Sequence, residues 1–256
     1  MVTEGHPSPK GARTLAPEDI PALLTSANGE FLFSLIDSPS FDETHLCVLL
    51  ERKDLPGTVL EKIAKRKTWR ASYRVRLALA AHPHTPRLIA MRLLRELHLM
   101  DLVRITLLPA TAAELRRLAE ERVLAQAPQL PLGQRLMLAR RGSSRVAAGL
   151  IAQGPENVAR IALDNAHLTE SQLLKALATR ALPARIVDAV AKHGKWSTLV
   201  NIRVALLRHV HAPAERAPAL VEDLPRREIE DLLGLSGLVG SVRTHLLQEL
   251  ARREGV

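Results

Sequence analysis

Aromatic residues are scarce in this chain: three Phe, two Trp and one Tyr in 256 residues. Strands favour aromatic and β-branched side chains, whereas the Ala, Leu and Arg that dominate here favour helices, so the expected class is all-α. Cysteine occurs once, at Cys47. No disulfide can therefore form within the chain, and Cys47 is expected to be a small buried apolar residue in a reducing, cytoplasmic setting. No run approaches the length of apolar residues that a membrane-spanning helix needs. The opening residues, MVTEGHPSPKGARTLAPED, lack the basic-then-apolar pattern of a secretory signal. Enzyme motifs are missing too. There is no G-x-x-x-x-G-K-[ST], no H-E-x-x-H and no G-x-S-x-G, so no catalytic residue, cofactor or metal site is expected.

What the sequence does contain is an echo. Trp69, Val75, Arg76, Leu77, Ala78, Leu79, His82, His84 and Pro86 are answered 127 residues later by Trp196, Ile202, Arg203, Val204, Ala205, Leu206, His209, His211 and Pro213. Agreement at one fixed offset points to an internal repeat, and repeats of this size are stacked helical pairs. Arg76, Arg117, Arg160, Arg203 and Arg243 lie 40 to 43 residues apart, which suggests a unit of about 42 residues, as in helical-pair arrays.

Helical periodicity and punctuation divide the chain accordingly. Residues 1–16 read as a disordered lead, and residues 17–256 as one α-helical repeat domain of about five to six helical pairs. A helix is expected from Pro17 to about Ala27, followed by a short apolar segment from Phe31 to Ile36. Further helices are expected at 42–52, from Pro56, at 69–81, and from Thr85 and Pro86 to about His98. A shorter apolar stretch follows from Asp101 to Pro109. Thr111 with Glu114 and Thr169 with Gln172 have the spacing of capping boxes. Helices at 132–141 and 143–152 turn at Gly142, and others are expected at 155–163, from Pro183, and at 213–222, 225–233 and 239–253. The segment 197–210 is apolar on more than one face and is expected to be an inner, buried helix.

VRLALAAHPHTPRLIAMRLL at 75–94 resembles the leucine-rich repeat variant, a relative of HEAT repeats. Val75, Arg76, Ala78, Ala80, His82, Pro83, Thr85 and Pro86 match that family's pattern. The second copy departs from it with Val210 in place of Pro83 and Ala212 in place of Thr85. The resemblance implies a right-handed α–α superhelix used for binding. Some relatives carry a Cys-rich iron–sulfur module, which one cysteine cannot ligate.

Three groups of residues are candidates for function. The basic block is the first: residues 52–95 carry twelve basic side chains against Asp54 and Glu61, whereas residues 1–51 carry a balance of −6. Lys62, Arg66, Arg70 and Arg74 fall four apart and would form one stripe on a continuous helix, with Lys65, Lys67, Arg87, Arg92 and Arg95 beside it. A stripe of one sign is a footprint for phosphate or for an acidic protein. Trp69 and Trp196 are the second group, either core anchors or groove aromatics that stack on a ligand. The third is the pair of H-x-H sequences, His82 with His84 and His209 with His211. Copies so far apart in a helical stack cannot share a metal ion, and the expected role is to cap carbonyls at helix C-termini.

The expected function is a non-enzymatic scaffold that binds another protein, an acidic one where the basic stripe is used, with no membrane partner. The alternative is a nucleic-acid binder using residues 62–95. A second alternative comes from the resemblance: HEAT-like DNA alkylpurine glycosylases use an acidic residue and aromatics in a basic groove, which Asp164 with Trp69 or Trp196 would imitate. The histidine reading is checked by thermal melting with and without a zinc chelator. The melting temperature should not change, whereas a structural metal would make chelation strongly destabilising.

Overall fold

Proline decides where many of the helices begin. In the computed structural model, which describes residues 20–26, 28–179 and 182–254, Pro56, Pro86, Pro131, Pro155, Pro183 and Pro225 each stand at a helix N-cap. The pyrrolidine ring presets φ near −65°, and its missing N–H is not required at that position. Other helices start on polar caps. Asn28 accepts the Phe31 N–H at 2.9 Å, and Asp42 forms a capping box with His45.

Among the described residues every regular element is helical, and no helix is long and apolar enough to cross a membrane. The lead 1–16 and the start expected at Pro17 lie outside the described residues. The first helices are α1 (Ile20–Ser26), α2 (Gly29–Leu35), α3 (Glu43–Leu49), α4 (Gly57–Lys65), α5 (Lys67–Ala71), α6 (Tyr73–Ala81), α7 (Arg87–Leu94), α8 (Leu99–Leu107) and α9 (Ala113–Gln126). Then come α10 (Leu132–Arg141), α11 (Ser144–Gln153), α12 (Glu156–Leu163), α13 (Glu170–Leu177), α14 (Ala184–Lys192), α15 (Val200–Arg208), α16 (Ala217–Val221), α17 (Arg226–Leu233) and α18 (Gly240–Glu254).

The chain divides into two compact units, Met1–Glu120 and Glu121–Val256, with the division inside α9. In the first, α1, α3 and α6 pack in succession, α2 packs on α4, and α7 lies against α6. In the second, α11, α13, α15 and α17 form one layer. Helices α10, α12 and α14 form the other, and α16 packs on α18. Each layer buries apolar stripes against its neighbour, among them Leu46, Leu60, Ile63, Val75 and Leu79 in the first unit and Leu173, Val187, Val190, Ile202 and Leu206 in the second.

The echo seen around Trp69 and Trp196 extends over the described helices from α2 to α9. Shifted by 127 residues, α4 coincides with α14 and α6 with α15, while α2, α3, α8 and α9 fall on α12, α13, α17 and α18 to within a residue at the C-terminus. Helix α7 falls on a 3₁₀ turn, Ala214–Arg216, followed by α16. The exception is α5, whose counterpart at 194–198 is a turn. Gly194 stands there in place of Lys67, and glycine is costly inside a helix. Contacts repeat with the elements. Arg76 pairs with Glu96 at 3.0 Å, and Arg203 pairs with Asp223 at 3.2 Å, two pairs related by the same shift. Arg116, rather than Arg117, is the counterpart of Arg243, and each directs its guanidinium to loop carbonyls: Pro109 and Thr111 for the first, Leu233 and Leu235 for the second.

The histidines join successive helical pairs. The C-cap of α6 is His82, whose Nδ1 accepts the His84 N–H at 3.2 Å. Its proton therefore sits on Nε2, which donates to the Arg52 carbonyl oxygen, 2.6 Å away and 30 residues earlier. His209, the C-cap of α15, repeats this: Nδ1 accepts from the His211 N–H at 3.1 Å and Nε2 faces the Thr179 oxygen at 3.4 Å. Asn165 does the same with an amide. Its Oδ1 accepts from the His167 N–H, and its Nδ2 donates to the Ala139 and Gly142 carbonyls. The histidines thus meet carbonyls as expected, but not those of their own helices. Burial pushes the pKa of His82 and of His209 down, so both are neutral, and each reaches a carbonyl of the preceding pair.

Several local expectations also change. The helix expected at 69–81 breaks at Ser72, which is extended with ψ 127°. Thr85 does not cap the helix ahead of it, because its hydroxyl turns back to the Leu79 carbonyl at 2.7 Å. Thr111 forms no capping box: its hydroxyl is buried without a partner, and Glu114 pairs with Arg87. Thr169 makes no cap bond, since its hydroxyl is shared with Ser144 and Ser171. Helix α15 buries Ile202, Leu206 and Leu207 but exposes Val200, so it is not enclosed on all sides. The turn at Gly142 does stand where it was expected. A side chain there would meet the Leu138 carbonyl oxygen at 2.6 Å, so only glycine lets α11 follow α10 so closely.

The histidine links predict an acid-sensitive fold. A buried histidine whose pKa is lowered on folding contributes stability that is full above its ordinary value, about 6.5, and is lost as pH falls through the lower native value. In chemical unfolding, His82→Ala should cost about 2–3 kcal/mol at pH 7.5, the cost of losing two buried hydrogen bonds. His82→Asn should recover part of that, as Asn165 shows the amide can serve. The double variant His82→Asn with His209→Asn should lose less stability than the parent between pH 7 and 5. An unchanged pH dependence would show that these imidazoles do not titrate with unfolding.

Candidate functional site

The basic block does not form a continuous stripe. Arg66 and Ser72 are extended, with ψ 116° and 127°, so Lys62, Arg70 and Arg74 lie on three separate helices. Much of its charge is also neutralised inside the unit. Lys62 Nζ pairs with Asp37 Oδ2 at 2.7 Å, donates to the Phe33 carbonyl, and sits 3.9 Å over the Phe33 ring. Arg66 Nη2 pairs with Asp37 Oδ1 at 2.9 Å, and Nη1 donates to the Ile36 carbonyl at the end of α2. A guanidinium at a helix C-terminus satisfies a free carbonyl and meets the dipole favourably. Lys65 pairs with Glu61, and Arg87 with Glu114. Lys67, Arg70, Arg74 and Arg92 are exposed and form no ion pair among the described residues. Arg95 is also exposed. The partners of Lys62, Arg66 and Arg87 lie 25 to 29 residues from their cations, so a local charge count cannot show them.

Both tryptophans belong to the core. Trp69 is 8% exposed, meets Phe41 edge-on at 5.8 Å and lies under the Arg66 guanidinium. Trp196 is 1% exposed, and its indole N–H donates to the Leu163 carbonyl at 2.9 Å. Neither ring presents a face on which a base can stack. Asp164 stands beside Trp196 in space, but its carboxylate meets His193 Nε2 at 3.1 Å. That contact is the counterpart of Arg66 with Asp37 under the 127-residue shift. Among the described residues no three His, Cys, Asp or Glu side chains are grouped to hold a metal ion. Burial pushes the Cys47 thiol pKa up, and the nearby Glu43 and Glu51 carboxylates oppose the pull of Arg74, so the thiol is not activated.

The surface feature that the sequence did not disclose is a groove in the second unit. Leu174 and Leu177 of α13, Ala178 at its C-cap, Ala205 and Arg208 of α15, His209, Val210 and Gly237 line a volume of about 740 Å³. Among the described residues its lining contains no carboxylate. Arg208 is exposed and makes no ion pair among the described residues, while the ring nitrogens of His209 are already engaged. Val210 is 51% exposed, an uncovered apolar side chain at the position where the second copy departs from the family pattern. That departure is the one signal in the sequence that could have pointed to the groove.

Comparison with protein-family models, with curated proteins and with solved structures yields no match for this chain.

The cluster around Asp37 predicts a division of labour within the basic block. Lys62→Gln with Arg66→Gln should lower unfolding free energy by about 1–2 kcal/mol, because a partly buried carboxylate loses both charged partners. Arg70→Gln with Arg74→Gln should stay within about 0.5 kcal/mol of the parent. Equal effects in urea unfolding would show that Lys62 and Arg66 are no more structural than the exposed pair.

Proposed function

We propose that the chain is a non-enzymatic helical-repeat scaffold that binds another protein. The observation that carries this reading is the open, apolar groove on α13 and α15, set in a framework whose other polar groups are largely occupied with one another. Pairwise stacking in each unit supports the likeness of residues 75–94 to the leucine-rich repeat variant and HEAT repeats, with helical pairs arranged as an α–α solenoid. Such arrays bind through surfaces held by rigid helices rather than through catalytic constellations. A reducing cytoplasm suits the lone Cys47 thiol.

A second reading has its own support. Lys67, Arg70, Arg74 and Arg92 are exposed cations without ion pairs among the described residues, and a nucleic acid would neutralise them. With Lys62 and Arg66 held by Asp37, such a contact would be smaller than the spacing alone suggested.

Affinity capture with the full chain, with and without nuclease, separates the two. The expected result is a protein partner that stays bound after nuclease treatment and binds the purified chain directly. If nuclease removes all captured material, and the purified chain binds duplex DNA with log affinity falling by about 0.9 per contacted phosphate against log salt, the scaffold reading fails and the nucleic-acid reading replaces it.

A further inference from the structure

We infer that the groove of the second unit takes an acidic peptide segment with an apolar anchor, an inference that rests on the scaffold reading and names the partner's chemistry. The floor is apolar: Leu174, Ala178, Ala205 and Val210 leave room for a side chain such as Leu, Met or Phe, because two of the four are alanines. Among the described residues, Arg208 supplies a guanidinium to the lining and none of the lining residues is acidic. Guanidinium binds carboxylate through two parallel N–H donors. An Asp or Glu beside the apolar anchor would meet Arg208, and a basic segment would be repelled.

The first unit supplies an internal contrast. At the same shift of 127 residues, the groove positions hold Cys47 for Leu174, Glu51 for Ala178, Ala81 for Arg208 and Pro83 for Val210. The cation at the Arg208 position is gone, a carboxylate occupies the place of a small apolar residue, and Glu43 and Glu51 act on Cys47 against the pull of Arg74. The two units keep most of the same helices and the same histidine links, so folding does not require the differences. They change the charge pattern of one surface while leaving the framework in place. The recognition of an acidic segment therefore belongs to the second unit alone.

The test is selection of random 12-residue peptides displayed on phage against the immobilised full chain, followed by fluorescence anisotropy with a synthetic consensus peptide. Enriched peptides should carry Asp or Glu next to Leu, Ile, Met or Phe. Arg208→Glu should weaken the consensus peptide at least tenfold, and a peptide with Lys in place of its acidic residue should bind that variant better than the parent. The double change Ala178→Glu with Arg208→Ala, which installs the first unit's residues, should abolish binding with an unchanged far-UV circular dichroism spectrum. Enriched peptides without acidic bias, or equal binding to Arg208→Glu, would overturn the groove assignment while leaving the scaffold reading intact. No enrichment above background would overturn it as well, and the capture experiment then decides the scaffold reading independently. Self-association of the chain that is lost in Arg208→Glu would assign the groove to a second copy instead of a peptide.

Discussion

A neutral imidazole held between two backbone groups is the interaction on which the stacking depends. The ring of His82 spans from the His84 N–H to the Arg52 carbonyl, and that of His209 from the His211 N–H to the Thr179 carbonyl. Each link satisfies polar groups at the end of one helix and in the turn of the pair before it. Buried backbone groups left unpaired would cost more than an ordinary hydrogen bond contributes. The residue must therefore be able to accept at one end and donate at the other. Neutral histidine can do this, and so can asparagine, which is why Asn165 stands in the same role. Charged histidine cannot, and burial keeps the ring uncharged.

Ion pairs extend the same logic to the surface. Asp37 gathers Lys62 and Arg66, while its counterpart Asp164 meets His193. Arg76 reaches Glu96, and Arg203 reaches Asp223. In each case a side chain from one helical pair meets the end or turn of another, so each unit is tied together internally by polar contacts around its own apolar interior. Cations consumed in this way are not available to a ligand. The positive excess of residues 52–95 thus overstates the charge that faces a partner, and the uncommitted guanidinium of Arg208 gains weight by comparison.

Two copies of one framework can diverge wherever side chains point away from the core. The positions that hold the helices together agree between the units: Trp69 and Trp196, Leu79 and Leu206, His82 and His209. Several positions lining the groove do not, among them Leu174, Ala178, Arg208 and Val210. Val210 and Arg208 replace Pro83 and Ala81 without disturbing α15, because a helix C-terminus tolerates either pair. Duplication followed by change on one face gives two different surfaces from one framework.

The helical class was legible in the sequence because it rests on local chemistry. Scarce aromatics, abundant Ala and Leu, and proline before many of the apolar stripes act within a few residues. The duplication was legible at its best-preserved stretch, 69–86, where links and core positions crowd together. Its full extent was not, since most of the remaining positions keep only apolar character, and many sequences satisfy that. The capping boxes at Thr111 and Thr169 failed for a related reason: a hydroxyl chooses among donors and acceptors that only packing brings near. The stripe of Lys62, Arg66, Arg70 and Arg74 assumed one continuous helix, but two extended residues interrupt it, and Asp37 arrives from a helical pair 25 residues away. The groove joins residues of α13 with residues some 30 positions later on α15. Tertiary stacking alone sets those side chains next to one another, and that is why the sequence determined the framework while the structure decided which charges remain free to bind.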